Sequence, residues 1–246
     1  MGLELTVLGS ATPYPSPDNP CSGYLVSHGD TRVWMDAGTG TLGPLQRHTG
    51  LTDLTAIWIS HLHADHCADL LTAFYALLYA DVERDPVPLY GPPGIATRLA
   101  AFLTNGPDRS PIERAFAITE LSDGHETRLG DLRLTTRAVR HGMPAFAVRI
   151  DAPTASLTYS GDTAPCAALH ELAQDTDLLL CEADSPTADP VHHTPEDAAE
   201  TAARARRLVL THVGRSMTPQ QAVDRAKRCY AGPVEHAAPG AVLTAG

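Results

Sequence analysis

The sequence His61-Leu62-His63-Ala64-Asp65-His66 concentrates four good metal-binding side chains within six residues. It directly follows an apolar run over residues 55–60, a pattern that predicts a buried strand ending where the cluster begins. Histidine nitrogens and carboxylate oxygens suit zinc, iron or manganese, and a catalytic zinc takes about three protein ligands and a water. Four ligands are too many for one open site and too few for two. The stretch therefore predicts a pair of metal ions, with further ligands supplied from elsewhere in the chain.

Three more residues of ligand type stand alone, each at the end of a strand-like run. His141 follows residues 132–140, Asp162 follows residues 157–161, and His212 follows residues 207–211. Where a strand ends and a loop begins, a rigid sheet can present side chains to a shared cleft. Together with the cluster at residues 61–66, these three groups are enough for two metal sites.

The composition is that of an acidic chain with free thiols. The 246 residues carry a formal charge of −11 and include five scattered cysteines. Isolated cysteines without a C-x-x-C pair favour reduced thiols, and a shortage of Lys and Arg disfavours long nucleic acid as a partner. No apolar run approaches the roughly 18 residues of a membrane helix, and no signal-peptide pattern is seen. We therefore expect a soluble, cytoplasmic protein with one domain over residues 1–246.

Strand and helix signals alternate in two halves of the chain. Strand-like runs cover residues 3–8, 23–27, 32–36, 55–60, 133–139, 145–150, 156–159, 177–181 and 207–210. Helical runs cover residues 67–80 and 94–103. Thr194-Pro195 and Thr218-Pro219 each combine an N-cap residue with proline at the first helical position, and they predict helices to about Arg206 and Cys229. This alternation predicts a layered α/β sandwich.

The order of the ligands, H-x-H-x-D-H, then a lone His, a lone Asp and a lone His, resembles the metallo-β-lactamase fold superfamily. Asp36 in Trp-Met-Asp-Ala-Gly and the opening Leu-Gly-Ser-Ala-Thr-Pro are similar to its ribonuclease Z-like branch. The resemblance implies a four-layer αβ/βα sandwich with two metals at one edge of the sheets. It also implies a role for each matching position. One metal would be held by His61, His63 and His141, the other by Asp65, His66 and His212, with Asp162 bridging both and Asp36 orienting a ligating histidine.

Two further segments are similar to motifs of the ribonuclease Z-like branch: Cys181-Glu182-Ala183-Asp184 and His192-His193-Thr194. The resemblance implies that Glu182 orients His192, which would protonate a leaving alkoxide or hold a phosphate oxygen. Asp65 joins Glu182 and His192 as the third expected catalytic residue. Cys181 departs from the pattern, because a histidine is frequent at that position.

The resemblance implies two divalent ions, for which zinc is preferred over manganese or iron. Two adjacent cations lower the pKa of a shared water, so a bridging hydroxide would be the nucleophile. The segment 150–156 leaves no room for the long arm with which ribonuclease Z grips tRNA, and the acidic charge also disfavours tRNA. We therefore expect a phosphodiesterase for a small or cyclic phosphodiester.

Other activities on the same fold stay open. A lactonase or a thioesterase shares the dinuclear core, and tRNA 3′-processing is a less favoured alternative. A binding module without activity normally lacks one or more ligands, and none of the expected ligands is missing. The resemblance also allows a homodimer.

Overall fold

The computed structural model describes residues 2–80 and 84–246. Within these residues the chain forms two seven-stranded sheets. The first sheet contains β1 (Leu3–Gly9), β2 (Gly23–His28), β3 (Thr31–Met35), β4 (Ala56–Trp58), β5 (Val87–Gly91), β6 (Phe116–Glu120) and β14 (Val242–Ala245). Its order is β14-β1-β2-β3-β4-β5-β6. The strands from β14 to β3 pair antiparallel, and those from β3 to β6 pair parallel.

The second sheet repeats this arrangement in the other half of the chain. It contains β7 (Glu126–Leu129), β8 (Leu132–Ala138), β9 (Phe146–Asp151), β10 (Ser156–Tyr159), β11 (Leu178–Ala183), β12 (Leu208–Val213) and β13 (Val234–His236). Its order is β13-β12-β11-β10-β9-β8-β7. The strands from β7 to β10 pair antiparallel, and those from β10 to β13 pair parallel. In each sheet the parallel strands end at a common edge, where loops can converge.

Helices cover the outer faces of both sheets. They are α1 (Leu42–Leu45), α2 (Ala64–Cys67), α3 (Leu70–Leu78), α4 (Ile95–Thr104), α5 (Ser110–Ala115), α6 (Ala167–Leu172), α7 (Pro195–Thr201) and α8 (Pro219–Ala226), with 3₁₀ turns at Leu51–Asp53 and Ala202–Arg204. None of the helices in the described part of the chain is long and apolar enough to cross a membrane.

Three apolar clusters define the layers. One fills the space between the sheets and includes Trp58 and Tyr159. A second packs the first sheet against α2 to α5, with Trp34 and Phe116 among its buried members. The third packs the second sheet against α6 to α8. The order helix, sheet, sheet, helix confirms the predicted four-layer αβ/βα sandwich.

The predicted helix over residues 67–80 is wrong in its bounds. The structure has two helices, α2 and α3, separated at Ala68 and Asp69. The N–H of Asp69 donates to the carbonyl of Ala37 at 2.8 Å, and the Asp69 carboxylate accepts hydrogen bonds from the N–H groups of Gly40 and Leu42. Contacts with a distant loop therefore interrupt the helical hydrogen-bond ladder, and a local pattern does not contain them.

Other bounds differ for similar reasons. The strand predicted over residues 55–60 shortens to β4, because the N–H of Ser60 donates to the Asp36 carboxylate instead of to a strand. The helices at Thr194 and Thr218 both begin with a complete capping box. The first of them is α-helical only to Thr201 and continues as a 3₁₀ turn to Arg204, short of the predicted Arg206. Short strands and helices without a clear periodic pattern, such as β7 and α6, were missed.

Candidate metal centre

Elements from both sheets place the predicted ligands at one edge of the sandwich. His61 follows β4, and His63 is the N-cap residue of α2, with an extended backbone. Asp65 and His66 lie buried in the short helix α2. His141 follows β8, whereas Asp162 follows β10. His212 lies within β12, close to its carboxyl end.

Three imidazole nitrogens converge at one side of this edge. His63 Nδ1 lies 3.0 Å from His61 Nε2 and 3.2 Å from His141 Nε2. Burial lowers the pKa of His61 well below its ordinary value, and the neighbouring His66 lowers it further. Partial desolvation of the His63 ring also lowers its pKa, with His141 as the next contributor. The neutral imidazole is the form that binds a metal, so His61 and His63 are suited to hold an ion.

A second group lies beside the first. His212 Nε2 is 3.3 Å from Asp65 Oδ2, and His66 Nε2 is 3.8 Å from the same oxygen. His212 has a positive φ of 47°, in the left-handed region that side chains other than glycine rarely adopt. Such a conformation persists only when its surroundings enforce it, and it is often found at functional sites.

Asp162 faces both groups. Its Oδ2 lies 3.7 Å from His61 Nε2 and 3.4 Å from His212 Nε2, while its Oδ1 lies 3.4 Å from His66 Nε2. Burial alone would raise the pKa of Asp162, but the imidazoles of His212, His66 and His61 bring it well below the ordinary value. The Asp162 carboxylate therefore lies between the group of His61, His63 and His141 and the group of Asp65, His66 and His212.

The donor atoms fit metal ions. Three groups have all their ligand atoms within 4.8 Å of one another: His61, His63, His141 and Asp162; Asp65, His66 and His212; and Asp162, His192 and His212. Among the residues that the structure describes, His66 Nε2 and Asp162 Oδ1 are buried and have no hydrogen-bond partner. Buried polar atoms without a partner are costly, and a metal ion between them would satisfy both. The Asp and His set can thus hold metal, as the sequence predicted.

The Asp36 carboxylate connects the metal-ligand candidate His66 to two buried hydroxyl groups. Its Oδ2 accepts hydrogen bonds from His66 Nδ1 at 2.7 Å, from the Ser60 hydroxyl at 2.8 Å and from the Tyr159 hydroxyl at 2.7 Å. The bond to His66 fixes the tautomer that leaves Nε2 free to face the site. Tyr159 and Ser60 were missed as supporting residues. The available signal was that a buried tyrosine hydroxyl needs a partner.

Glu182 and His192 form a second pair at the site. The buried Glu182 carboxylate accepts from His192 Nδ1 and from the N–H of Thr163, both at 2.9 Å. Partial burial alone would lower the pKa of His192, but the bonded Glu182 raises it to about 9. Cys181, at the position where a histidine is frequent in the resembling motif, is buried in the third apolar cluster.

His193 has a different environment from His192. Its Nδ1 donates to the carbonyl of Thr163, and its Nε2 lies 3.2 Å from the Thr201 hydroxyl. Burial lowers the pKa of His193 to about 4. The structure thus directs His192 towards the site and encloses His193 behind it.

The ligands open into a cavity of about 380 Å³. Its wall contains Thr12, Pro13, His63, Ala64, Asp65, Asp162, Asp184, His192 and His212. Thr12 and Asp184 were not predicted as site residues. The Thr12 hydroxyl donates to Asp184 Oδ1 at 3.2 Å, and this oxygen lies 3.7 Å from His212 Nδ1. The loop after β1 therefore closes one side of the cavity.

The family model for the β-lactamase superfamily domain matches residues 31–213, which contain all of the predicted ligands. The chain belongs to this superfamily. An uncharacterized protein of Mycobacterium leprae is 38% identical over 244 residues, which cover 94% of this chain and 85% of that relative. Ribonuclease Z of Mycolicibacterium paratuberculosis is 31% identical over 274 aligned residues, which cover 95% of each protein.

The fold of this superfamily member is also similar to that of a solved structure. The metallo-β-lactamase fold protein YhfI from Bacillus subtilis superimposes with a TM-score of 0.88 over 99% of this chain and 100% of that protein, at 22% identity. The predicted membership of the ribonuclease Z-like branch of the metallo-β-lactamase fold is confirmed. The protein is therefore a metallo-β-lactamase-fold hydrolase, from a family of metal-dependent enzymes.

Proposed function

We propose that this superfamily member is a phosphodiesterase for small or cyclic phosphodiesters, with two divalent ions, preferably zinc, held by the His and Asp ligands. The observation that carries this proposal is the pair Glu182 and His192. A nitrogen of His192 can lie within 4.8 Å of the ligand atoms of Asp162 and His212. An imidazolium in that position matches the charge that develops on a phosphodiester as its leaving oxygen departs.

When bound, the ions would lower the pKa of a water and polarise a phosphoryl oxygen. The residues of this chain orient the water and supply the proton for the leaving group. Asp65 would help to hold one ion, and its carboxylate would accept a hydrogen bond from the attacking water. His192 donates its Nε2 proton to the leaving alkoxide, because its Nδ1 is already engaged by Glu182. Glu182 holds the ring in this orientation, and its own carboxylate is anchored by hydrogen bonds from the N–H groups of Thr163 and Asp184.

The proposed substrate is small because of the cavity and the charge. A volume of about 380 Å³ accommodates a nucleotide-sized molecule, and a formal charge of −11 opposes a long polyanion. Ligands from both halves of the chain meet in the cavity, so we further propose that the chain acts as one hydrolase domain. We also propose that it works in the cytoplasm.

A second candidate, tRNA 3′-processing, is favoured by the 31% identity to a ribonuclease Z. Against it stands the connection between β9 and β10, which spans only residues 152–155 and supplies no arm for a tRNA. The two candidate functions therefore differ in the size of the substrate.

The experiment is a comparison of substrates with metal-reconstituted protein. Bis-p-nitrophenyl phosphate and cyclic nucleotides should be hydrolysed much faster than a lactone, a thioester or a precursor tRNA. Turnover of only the lactone or thioester would overturn the phosphodiesterase proposal and retain the metal centre. Cleavage of the tRNA alone would establish the second candidate in its place.

His192 allows a sharper test of the mechanism. An alkyl leaving group needs a proton, whereas p-nitrophenolate leaves readily without one. His192→Ala should therefore reduce kcat for an alkyl diester by about 10²–10⁴ and reduce it far less for the nitrophenyl diester. Equal losses for both leaving groups would contradict the role of His192 as the general acid.

A further inference from the structure

A second, apolar cavity lies beside the metal centre, between α2, α3 and α4. We call it the apolar groove, and it has a volume of about 250 Å³. Its walls include Leu62, Ala64, Leu71, Ile95, Leu99 and Phe102. Phe102 is 68% exposed at the end of the groove. The metal centre as described above makes no use of this space.

The groove has almost no polar character. The charged side chain in its lining is Arg98, whose guanidinium is engaged at 2.6 Å by the carbonyl of Leu62. Such a lining contributes little to the recognition of a ligand through hydrogen bonds, but it removes the apolar surface of a ligand from water. An apolar cavity of about 150 Å³ is enough to bind benzene. The groove is therefore large enough for an aromatic ring or a short alkyl chain.

The groove and the metal-centre cavity share a wall. Ala64 lines both cavities. Leu62 and Ala64, which both line the groove, flank the metal-ligand candidate His63 in sequence. The two cavities therefore adjoin at Ala64, beside the metal-ligand candidate His63.

We propose that the apolar groove binds the aryl or alkyl substituent of the phosphodiester whose phosphate occupies the metal centre. The inference rests on the proposed phosphodiesterase function and specifies its substrate class: a diester with at least one apolar ester group. Selectivity arises because most of the groove lining is apolar, with Arg98 as its charged side chain, so an apolar group gains more from burial there than a polar group of the same size. The position of Ala64 in both linings favours this occupant over a separate partner molecule.

The first test measures inhibition by phenylphosphonate and by methylphosphonate. The two anions share the group that binds at the metal centre and differ in the apolar group. Phenylphosphonate should bind about tenfold more tightly to the wild type, since burial of a ring contributes on the order of 1.4 kcal/mol or more. Phe102→Ala and Leu71→Gln should bring the ratio close to one.

The matched control is Tyr79→Ala. Tyr79 is an aromatic side chain at the end of α3 with 74% exposure, and it is not part of the groove lining. Its truncation should leave the ratio of the two inhibition constants at the wild-type value. Equal ratios in the wild type and in both groove variants would overturn the proposal, as would a similar loss in the Tyr79 variant.

A second readout does not depend on activity. Titration of chelator-treated protein with p-nitrophenol should shift the methyl NMR signals of Leu71 and Leu99, and Phe102→Ala should weaken this binding. A contrary outcome is that the groove variants change the sedimentation coefficient and keep the wild-type ratio of the phenylphosphonate and methylphosphonate inhibition constants. In that case the groove binds a second copy of the chain, and the proposal is wrong. Failure of the proposed function is distinguishable, because phosphodiesters would then not be hydrolysed even though p-nitrophenol still bound.

Discussion

The Tyr159 hydroxyl, in the second sheet, donates a hydrogen bond to the carboxylate of Asp36, which directly follows β3 of the first sheet, with an O···O distance of 2.7 Å. Both side chains are buried between the sheets. The same carboxylate oxygen accepts from His66 Nδ1. The bond therefore connects the two halves of the sandwich directly to the orientation of a metal-ligand candidate.

Tyr159→Phe should reduce the free energy of unfolding by about 1–2 kcal/mol, since a buried acceptor loses one of its donors. It should also weaken metal binding, because Asp36 then positions His66 less firmly. Urea unfolding and calorimetric metal titration measure the two effects. Tyr230→Phe is a matched control, because the Tyr230 hydroxyl donates to the Ala205 carbonyl outside the site. Equal metal affinity in both variants would contradict the positioning role.

His63→Ala should abolish hydrolysis and leave a folded protein. His63 is exposed at the start of α2, so its truncation creates no buried cavity. One ion should lose a ligand that interacts with His61 and His141. Elemental analysis, circular dichroism and turnover of bis-p-nitrophenyl phosphate test this prediction. Full activity with unchanged metal content would exclude His63 from the metal centre.

His192→Ala should retain the wild-type metal content while kcat falls. The expectation follows from the hydrogen bond between His192 and Glu182, which occupies Nδ1 and leaves Nε2 for the substrate. Glu182→Gln keeps the shape of the partner but removes its charge, and it should lower kcat in the same direction by a smaller factor. Loss of about one metal per chain in the His192 variant would instead make His192 a ligand.

The buried His193 predicts a pH dependence of stability in the metal-free protein. Burial lowers its pKa to about 4, whereas the unfolded chain has the ordinary value of about 6.5. The unfolded state binds more protons between these values, so the free energy of unfolding falls as the pH falls. From pH 7 to pH 4 the loss is about 3 kcal/mol.

The difference between the wild type and His193→Gln isolates this contribution from the other buried histidines. Denaturant unfolding at several pH values should show the wild type losing its advantage over the variant as the medium becomes acidic. Parallel profiles for the two proteins across this range would show that His193 does not carry the effect.

Gly161→Ala should displace Asp162. Gly161 has a φ of +56°, and an added Cβ would lie 2.8 Å from the Phe146 carbonyl oxygen. The left-handed conformation alone costs a residue with a Cβ about 1–2 kcal/mol, and the clash adds to it. We expect a lower midpoint of denaturation and weaker metal binding. Gly43→Ala is the control, because its added Cβ meets no atom within 4 Å beyond its chain neighbours and the backbone of its own helix. Wild-type metal affinity in both variants would refute the prediction.

Local patterns in the sequence determined the fold class and the set of metal-ligand candidates. The cluster at residues 61–66 follows a buried strand, and Asp162 and His212 also occur at or near strand ends. Strand ends are readable because an apolar run stops at a polar residue. The capping boxes at Thr194 and Thr218 were predictable for the same reason, since all of their hydrogen bonds lie within four residues.

Only the tertiary structure decided which of these residues meet and how. The sequence does not reveal that the Asp69 N–H, between α2 and α3, donates to the carbonyl of Ala37. It also does not reveal that the Tyr159 hydroxyl donates to the Asp36 carboxylate. Nor does it contain the apolar groove, whose walls come from separate helices. These features depend on contacts between residues far apart in the chain. Because the packing of the sheets and helices creates such contacts, local periodicity and spacing carry no record of them.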